Sequence, residues 1–344
     1  MSLIAVLEWA VSCAVGDTIW ETTVRLSGLL GALFLLLLFL LFVFLSVTSA
    51  REPDLYRSSS EKNFKDPKTG ESAPFPSVTD RPSLYLSLIV PAYKEQDRLP
   101  VMMDETMAYL EKRQYQDSGF TYEVIIVNDG STDNTSDVAL GYVTKYGADK
   151  VRLLEFTHNR GKGGAVREGC LSCRGERVLM VDADGATKIS DVERLEEALS
   201  KLAKDHTVPA LVVGSRAHLQ EQAVAERSFF RNILMYGFHL LVYVLCVRGV
   251  GDTQCGFKLF TRSAAATLFT SMHINRWAFD VEVLYIAQQL GMPVDEVAVN
   301  WKEIEGSKLV PVWSWLQMGR DILFIRLRYT FGIWRIGSNK PKQQ

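Results

Sequence analysis

Short apolar segments alternate with longer amphipathic segments from residue 84 to residue 214, and this alternation constrains the fold more than any other feature of the chain. The apolar segments are rich in branched side chains, as strands are, and they cover residues 84–90, 122–127, 151–156, 177–181 and 210–214. The amphipathic segments are typical of helices and cover roughly residues 98–113, 133–146, 163–174 and 191–204. The order predicts an α/β domain over residues 84–300, with a mostly parallel sheet and helices on both of its faces.

An uncharged apolar segment covers residues 26–50, after a short N-terminal segment of residues 1–25. As a helix it would be about 37 Å long, which exceeds the roughly 30 Å hydrocarbon core of a bilayer. Glu8, Asp17 and Glu21 precede it where a cleaved signal peptide would carry basic residues. We therefore expect one uncleaved transmembrane anchor.

The basic residues around this anchor lie mainly on its C-terminal side. Only Arg25 precedes it, whereas five basic residues come after it: Arg51, Arg57, Lys62, Lys65 and Lys68. The positive-inside rule therefore predicts that the large C-terminal portion faces the cytosol. Five scattered cysteines agree with a reducing compartment. Asn134 begins a glycosylation sequon, which we expect to be unused in that topology.

Three further segments differ in composition from the predicted domain. Residues 51–83 are rich in proline, serine and charge, without a hydrophobic period, which indicates a linker or a loosely packed arm. Residues 226–247 contain an apolar run that is too short to span a bilayer comfortably, and it is either a core helix or a membrane-interface helix. Residues 301–344 mix tryptophan with arginine, which favours an amphipathic segment at the membrane surface.

Polar clusters come directly after the predicted strands, at residues 91–95, 128–133, 158–164 and 182–184. Because parallel strands end at the same edge of a sheet, these clusters are expected to meet there. Asp182 and Asp184 end an apolar strand, where two carboxylates require a cation, and hard oxygen ligands favour Mg²⁺ or Mn²⁺. Arg160, Lys162 and three glycines open a helix and suit a diphosphate. Together the clusters are best explained by a sugar-nucleotide site.

Other nucleotide-binding motifs are missing from the sequence. Nothing matches a Walker A loop, and nothing matches the G-x-G-x-x-G of dinucleotide-binding domains. The formal net charge is −2, from 38 basic and 40 acidic side chains, which argues against a general nucleic-acid binder.

Five motifs follow one another in the chain: IVPAYKE, IIVNDGSTD, NRGKGGAVREG, VDADG and DTQCGFKLF. This series resembles the family 2 inverting glycosyltransferases with the Rossmann-like GT-A fold, and the resemblance extends from about residue 84 to residue 334. AFDVEVL and DTQCGFKLF narrow the resemblance to the polyprenyl-phosphate glycosyltransferases, and most closely to eukaryotic enzymes of the endoplasmic reticulum membrane that glucosylate dolichyl phosphate. The resemblance implies transfer of glucose from UDP-glucose to dolichyl phosphate with inversion. The product would be dolichyl β-D-glucosyl phosphate, the lipid-linked glucose donor for N-glycan precursor assembly.

The resemblance also implies roles for individual residues. Pro91, Tyr93, Glu95 and Asp129 would hold the nucleoside, with Arg160, Lys162 and Asp182 completing the nucleotide-sugar site. Asp182 and Asp184 would be catalytic and hold the metal, and Asp280 matches the acidic position often treated as the catalytic base. Asn128 departs from the family pattern, because it replaces the first acid of the common D-D-G-S motif.

The acceptor side of the site is expected to be basic and close to the membrane. The candidates for its phosphate are Arg216, Arg227, Arg231 and Lys258. A phosphate monoester is largely a dianion at neutral pH, because its second pKa is near 6. It needs little help from a base, so we expect Asp280 to position a substrate rather than to remove a proton.

Two alternatives remain open from the residues alone. The first keeps the fold and uses GDP-mannose as the donor, since nothing in the sequence separates uracil from guanine. The second is a catalytically silent membrane adaptor, which the presence of both Asp182 and Asp184 disfavours. The oligomeric state and the preferred metal do not follow from the sequence.

Overall fold

The computed structural model describes residues 3–49, 53–217, 229–304 and 313–337. Helix α1 (Leu3–Val47) is continuous, so the predicted N-terminal segment and the predicted anchor form one helix. At 1.5 Å per residue its 45 residues are about 67 Å long. Within the described residues it is the one helix that is long and apolar enough to cross a membrane.

Seven strands form the main sheet. They are β3 (Leu84–Ala92), β4 (Tyr122–Asn128), β5 (Val151–Glu155), β6 (Gly175–Val181), β7 (Leu211–Ser215), β8 (Phe257–Thr261) and β9 (Val294–Ala298). Their order across the sheet is β5-β4-β3-β6-β8-β7-β9, and only β8 runs antiparallel to its neighbours. Every residue of β4, β7 and β8 is buried. Because successive strand residues point to opposite faces, both faces of the sheet are covered, and the predicted α/β fold is confirmed.

Helices connect and cover these strands. They are α2 (Leu99–Gln116), α3 (Thr135–Tyr146), α4 (Lys162–Leu171), α5 (Val192–Leu202), α6 (Phe229–Leu245), α7 (Arg262–Ser271), α8 (Phe279–Gln289) and α9 (Trp313–Thr330). The first four correspond to the four amphipathic segments of the sequence. The six parallel strands end at one edge of the sheet, and the antiparallel strand β8 begins at that edge. The residues next to these strand ends therefore meet at a single place.

The C-terminal end of α1 packs against α9 and the residues just beyond it. The rings of Phe44 and Phe324 lie 6.4 Å apart, and the indole N–H of Trp334 donates to the hydroxyl of Ser49 at 2.7 Å. Helix α9 also packs against α6, where the rings of Phe238 and Trp315 are 6.1 Å apart. The point where the apolar helix ends is thus fixed beside α9, and α9 is fixed beside α6.

The segment between α1 and the sheet is more closely packed than its composition predicts. It contains a hairpin of β1 (Asn63–Lys65) and β2 (Ser72–Pro74). Val78 is buried in the core, and Glu61 is buried as well. The loosely packed arm expected here is therefore replaced, from residue 53 onward, by a segment that lies against the domain.

Candidate functional site

A cavity of about 650 Å³ opens at the edge of the sheet where the strands end. Nine of the residues that the sequence singled out line it: Pro91, Tyr93, Glu95, Asp129, Lys162, Asp182, Asp184, Arg216 and Asp280. Two others, Arg160 and Lys258, do not line it. The fold therefore brings the four polar clusters to one place, as the strand ends predict.

The two acids of the D-A-D motif lie in the cavity wall directly after β6. The Asp182 carboxylate pairs with Lys162, whose Nζ is 2.6 Å from Oδ1. A Cβ at Gly256, directly before β8, would collide with this carboxylate, so a larger residue there would displace the Asp182 side chain. Asp184 accepts a hydrogen bond from the backbone N–H of Ala186 at 2.9 Å, which fixes the turn.

Lys162 is the first residue of α4 and lies among three acids. Burial alone would lower the pKa of Lys162, but the carboxylates of Asp182, Asp280 and Asp184 raise it above its ordinary value. The ammonium group therefore stays protonated. It adds a positive charge to the N-terminal end of α4, where the helix dipole already favours an anion.

Asp129 holds the loop that leads into α4, which we call the 157–161 loop. Its carboxylate accepts the backbone N–H of Arg160 at 2.6 Å and that of Gly161 at 2.9 Å. Burial raises the pKa of Asp129 to about 6, even though these two hydrogen bonds act in the opposite direction. The side chain lines the cavity while it orders the loop.

The side chain of Arg160 does not face the cavity, which corrects its expected contact with the diphosphate. Its guanidinium donates to Glu61 at 2.5 Å and to the carbonyl of Tyr56 at 2.9 Å. It also lies over the ring of Phe156, 4.5 Å from the centroid. The partner that holds this guanidinium away from the cavity is thus an acid that lies far away in the sequence.

Lys258 is also placed differently from the expectation, because it is buried in β8 and reaches no acceptor phosphate. Its Nζ donates to the carbonyl of Cys255 at 2.7 Å and to the carboxylate of Asp280. Asp280 itself lines the cavity, with its side chain only 4% exposed. Burial raises the pKa of Asp280, while the neighbouring Lys258 and Lys162 act to lower it.

Arg216 reaches the cavity but is held by an acid that the sequence analysis did not single out. Its guanidinium donates to both carboxylate oxygens of Asp252, at 2.7 and 2.9 Å. This arrangement lowers the pKa of Asp252, although burial alone would raise it. Arg227 lies outside the described residues, and so does the side chain of Arg231.

Sequence reasoning missed several residues of the cavity wall. Arg98 lines it and donates twice to Glu95, at 2.7 and 2.5 Å. Gln254 lines it with a buried Nε2 that donates to no residue in the described ranges. Arg98 comes shortly after the motif IVPAYKE, and Gln254 lies within DTQCGFKLF. Their positions in or near these motifs of the family resemblance were the signal that could have identified them.

Arg276 is the missed residue with the clearest chemistry. It is exposed and lines the cavity, and its guanidinium makes no hydrogen bond or ion pair with any residue that the structure describes, although its charge acts to lower the pKa of Asp129. It lies beside the 157–161 loop, since a Cβ at Gly161 would be 3.1 Å from its Cγ. It directly precedes the segment WAFDVEVL, so the motif around Asp280 pointed to it.

One part of the cavity wall is mostly apolar and comes from two helices. Met235, Phe238 and His239 of α6 contribute to it, together with Trp315 and Met318 of α9. The same helices also expose apolar side chains, including Leu240 and Leu316, each 63% exposed. The cavity wall is thus charged next to the strand ends and mostly apolar where α6 and α9 line it.

Comparisons with known proteins agree with this site. The model of glycosyl transferase family 2 matches residues 87–269. Dolichyl-phosphate beta-glucosyltransferase of Mus musculus is 58% identical over 92% of this chain and 97% of its own length. The enzyme of the same name from Homo sapiens is 56% identical over the same shares.

Among solved structures, mannosyl-3-phosphoglycerate synthase from Rubrobacter xylanophilus superposes with a TM-score of 0.49 and 15% identity, over 76% of this chain and 79% of its own. The two curated relatives are far more similar and extend over nearly the whole chain. The chain therefore belongs to glycosyl transferase family 2, and within it to the family of dolichyl-phosphate beta-glucosyltransferases.

Proposed function

We propose that this chain transfers glucose from UDP-glucose to dolichyl phosphate with inversion at C1, giving dolichyl β-D-glucosyl phosphate. The observation that carries the proposal is the character of one cavity. Asp182, Asp184 and Lys162 line one part of its wall, and the helices α6 and α9 line another part with mostly apolar side chains. A nucleotide sugar suits the first part and a lipid phosphate suits the second. The names of the curated relatives support the same reaction.

The donor would lie along the ends of β3, β4 and β6. Pro91, Tyr93 and Glu95 form the wall for the nucleoside together with Asp129. The diphosphate would lie at the N-terminal end of α4, where Lys162 supplies a positive charge. Arg276, which lies beside the 157–161 loop and lines the cavity, supplies a second charge.

The residues present fit a divalent cation, Mg²⁺ or Mn²⁺. Asp182 and Asp184 offer carboxylate oxygens, which these ions prefer. Among the described residues no group of three or more His, Cys, Asp and Glu side chains is placed to hold an ion alone. The two carboxylates would therefore share it with phosphate oxygens of the donor. When bound, the ion supplies Lewis-acid stabilisation of the departing diphosphate.

The chemistry needs no proton acceptor. An oxygen of the dianionic lipid phosphate attacks C1 of glucose, the bond from C1 to the UDP oxygen breaks, and UDP leaves with the electron pair. Lys162 remains protonated and stabilises the negative charge that develops on the diphosphate. Asp280 uses one oxygen to hold Lys258, and in this proposal it orders the site without removing a proton.

We place the protein in the endoplasmic reticulum membrane, with a single pass and the catalytic domain in the cytosol. The contact of Trp334 with Ser49 holds the end of α1 beside α9, so the exposed apolar faces of α6 and α9 would lie at the membrane surface. A lipid phosphate would then enter the cavity from the bilayer. In this topology Asn134 is not glycosylated, and treatment of the cellular protein with an endoglycosidase leaves its mobility unchanged.

Transfer of label into lipid tests the reaction directly. Detergent-solubilised protein is incubated with dolichyl phosphate, Mg²⁺ and radiolabelled UDP-glucose or GDP-mannose in parallel. We expect lipid-soluble label from UDP-glucose only, and none with Asp184→Ala. Label from GDP-mannose alone would move the protein to the mannosyl reaction, and label from neither donor would favour the silent adaptor.

A further inference from the structure

The segment between α1 and the sheet contacts the donor site through one buried carboxylate. Glu61 is 0% exposed. Its Oε2 accepts from the Arg160 guanidinium at 2.5 Å and from the N–H of Ser58 at 2.9 Å, and its Oε1 accepts from the N–H of Thr157 at 3.4 Å. One side chain thus contacts the 157–161 loop at Thr157 and at Arg160.

The other side of the same loop is held by the residues after β4. Asp129 accepts the N–H groups of Arg160 and Gly161. A Cβ at Gly130, whose φ is +65°, would lie 2.6 Å from the backbone carbon of His158, so the two backbones are in close contact. The loop is therefore clamped between Asp129 on one side and Glu61 on the other.

Further contacts fix the segment that carries Glu61. Arg57 pairs with the buried carboxylate of Glu168 on α4, and the carbonyl of Asp54 accepts from Arg167 at 2.9 Å. Burial alone would raise the pKa of Glu61, but the N–H of Ser58 and the charge of Arg160 lower it below its ordinary value. The carboxylate is therefore ionised and held in one place.

Glu61 lies outside the part of the chain that the family model matches, residues 87–269, whereas its partners Thr157 and Arg160 lie inside it. We propose that Glu61 is a positioning residue for donor binding: by holding Thr157 and Arg160 it fixes the loop that leads into Lys162, and so sets the affinity for the diphosphate of UDP-glucose. The proposal rests on the proposed function. It makes the segment that joins the membrane helix to the domain a part of the donor site.

Binding of UDP to the full-length protein in detergent with Mn²⁺, measured by calorimetry, tests this role. Replacing the buried carboxylate by an amide in Glu61→Gln exchanges a charge-assisted hydrogen bond for a weaker one. We expect the Kd for UDP and the KM for UDP-glucose to rise about tenfold. We expect the KM for dolichyl phosphate to stay within about twofold, because the proposed acceptor wall comes from α6 and α9 and not from this loop.

Arg57→Gln is the matched control. It removes an ion pair from the same segment without touching the loop, so it lowers the thermal midpoint yet leaves the Kd for UDP within about twofold. In an Arg160→Met background, Glu61→Gln adds far less than its effect alone, because its main partner is already gone. If Glu61→Gln does not fold, Glu61→Asp is measured in its place. It keeps the negative charge but shortens the side chain, so the same rise in the Kd for UDP is expected.

The outcomes separate this inference from the function on which it rests. Wild-type protein that fails to bind UDP overturns the proposed function. Wild-type protein that binds UDP, with Glu61→Gln binding equally well, overturns the positioning role alone. An equal loss of UDP affinity in Arg57→Gln would reduce Glu61 to a general support of the fold, which also contradicts the proposal.

Discussion

Replacing Arg276 by glutamine separates binding energy from folding energy more cleanly than any other change at this site. The guanidinium is exposed in the cavity wall and has no ion pair among the residues that the structure describes. Arg216 and Lys258, in contrast, each hold a buried carboxylate. Removing the charge of Arg276 therefore leaves no buried group unpaired in the folded protein.

The expected loss of activity follows from the proposed contact with the diphosphate. A hydrogen bond between a charged donor and a charged acceptor contributes about 1.5–3 kcal/mol, which corresponds to roughly a tenfold to 150-fold fall in kcat/KM for UDP-glucose. The folded state loses no hydrogen bond or ion pair of this side chain, only the attraction between its charge and the buried Asp129, so the free energy of unfolding should fall by less than about 1 kcal/mol.

The assay is transfer of radiolabelled glucose to dolichyl phosphate at varied UDP-glucose, together with the thermal midpoint of the same preparation. Lys201→Gln is the control, because Lys201 pairs with Glu197 on the surface, with both side chains 71% exposed, and neither residue lines the cavity. An unchanged kcat/KM in Arg276→Gln would refute the assignment to the diphosphate. A rise confined to the KM for dolichyl phosphate would instead move Arg276 to the acceptor.

Three further predictions use other parts of the site. Asp280→Asn leaves the buried Lys258 ammonium without its carboxylate, which should lower the free energy of unfolding by about 3–5 kcal/mol. Lys258→Met in the same chain should recover most of the lost thermal midpoint. A thousandfold loss of turnover with fold and UDP binding intact would show instead that Asp280 removes a proton. The pKa of Asp129 is raised from 3.8 to about 6, so between these pH values the folded state retains a proton that the unfolded state loses. This proton stabilises the folded state by about 3 kcal/mol in full. The stabilisation is present near pH 4 and is lost as the pH rises through 6. In urea titrations, Asp129→Asn should lack this contribution, and equal pH profiles would contradict the shift. Leu240→Asp with Leu316→Asp should raise the apparent KM for dolichyl phosphate in vesicles about tenfold and leave the Kd for UDP unchanged; equal effects on both substrates would contradict a lipid-facing role.

The positions of Asp129, Asp182 and Asp184 in the cavity wall were predictable because their signal is local. Asp182 and Asp184 end an apolar strand, and the strands of a parallel sheet all place their next residues at one edge. Asp129 comes directly after β4 and reaches that edge for the same reason. Periodicity and strand ends therefore predicted which side chains gather, without any knowledge of the partners that each would find.

The direction of the basic side chains was not predictable in this way. Arg160 lies in the expected loop, but Glu61, 99 positions away in the chain, turns its guanidinium out of the cavity. Lys258 is buried because β8 is inserted antiparallel between β6 and β7, where Asp280 meets it. A long, flexible basic side chain forms an ion pair with the acid nearest to it, and tertiary packing determines which acid that is.

Charge balance in the cavity wall gives an independent reason for a divalent cation. The described arginine and lysine side chains that line the cavity are Arg98, Lys162, Arg216 and Arg276. The described acids that line it are seven, namely Glu95, Asp129, Asp182, Asp184, Asp252, Asp280 and Glu303, and three of the four cations pair with Glu95, Asp182 and Asp252. Neither the diphosphate of the donor nor the phosphate of the acceptor then finds a net positive charge in the walls, and a cavity without one holds two such anions poorly. A divalent cation at Asp184 would supply positive charge there, so removal of divalent ions with EDTA should weaken UDP binding far more in wild-type protein than in Asp184→Asn. Equal effects of EDTA on the two proteins would show that the ion binds elsewhere.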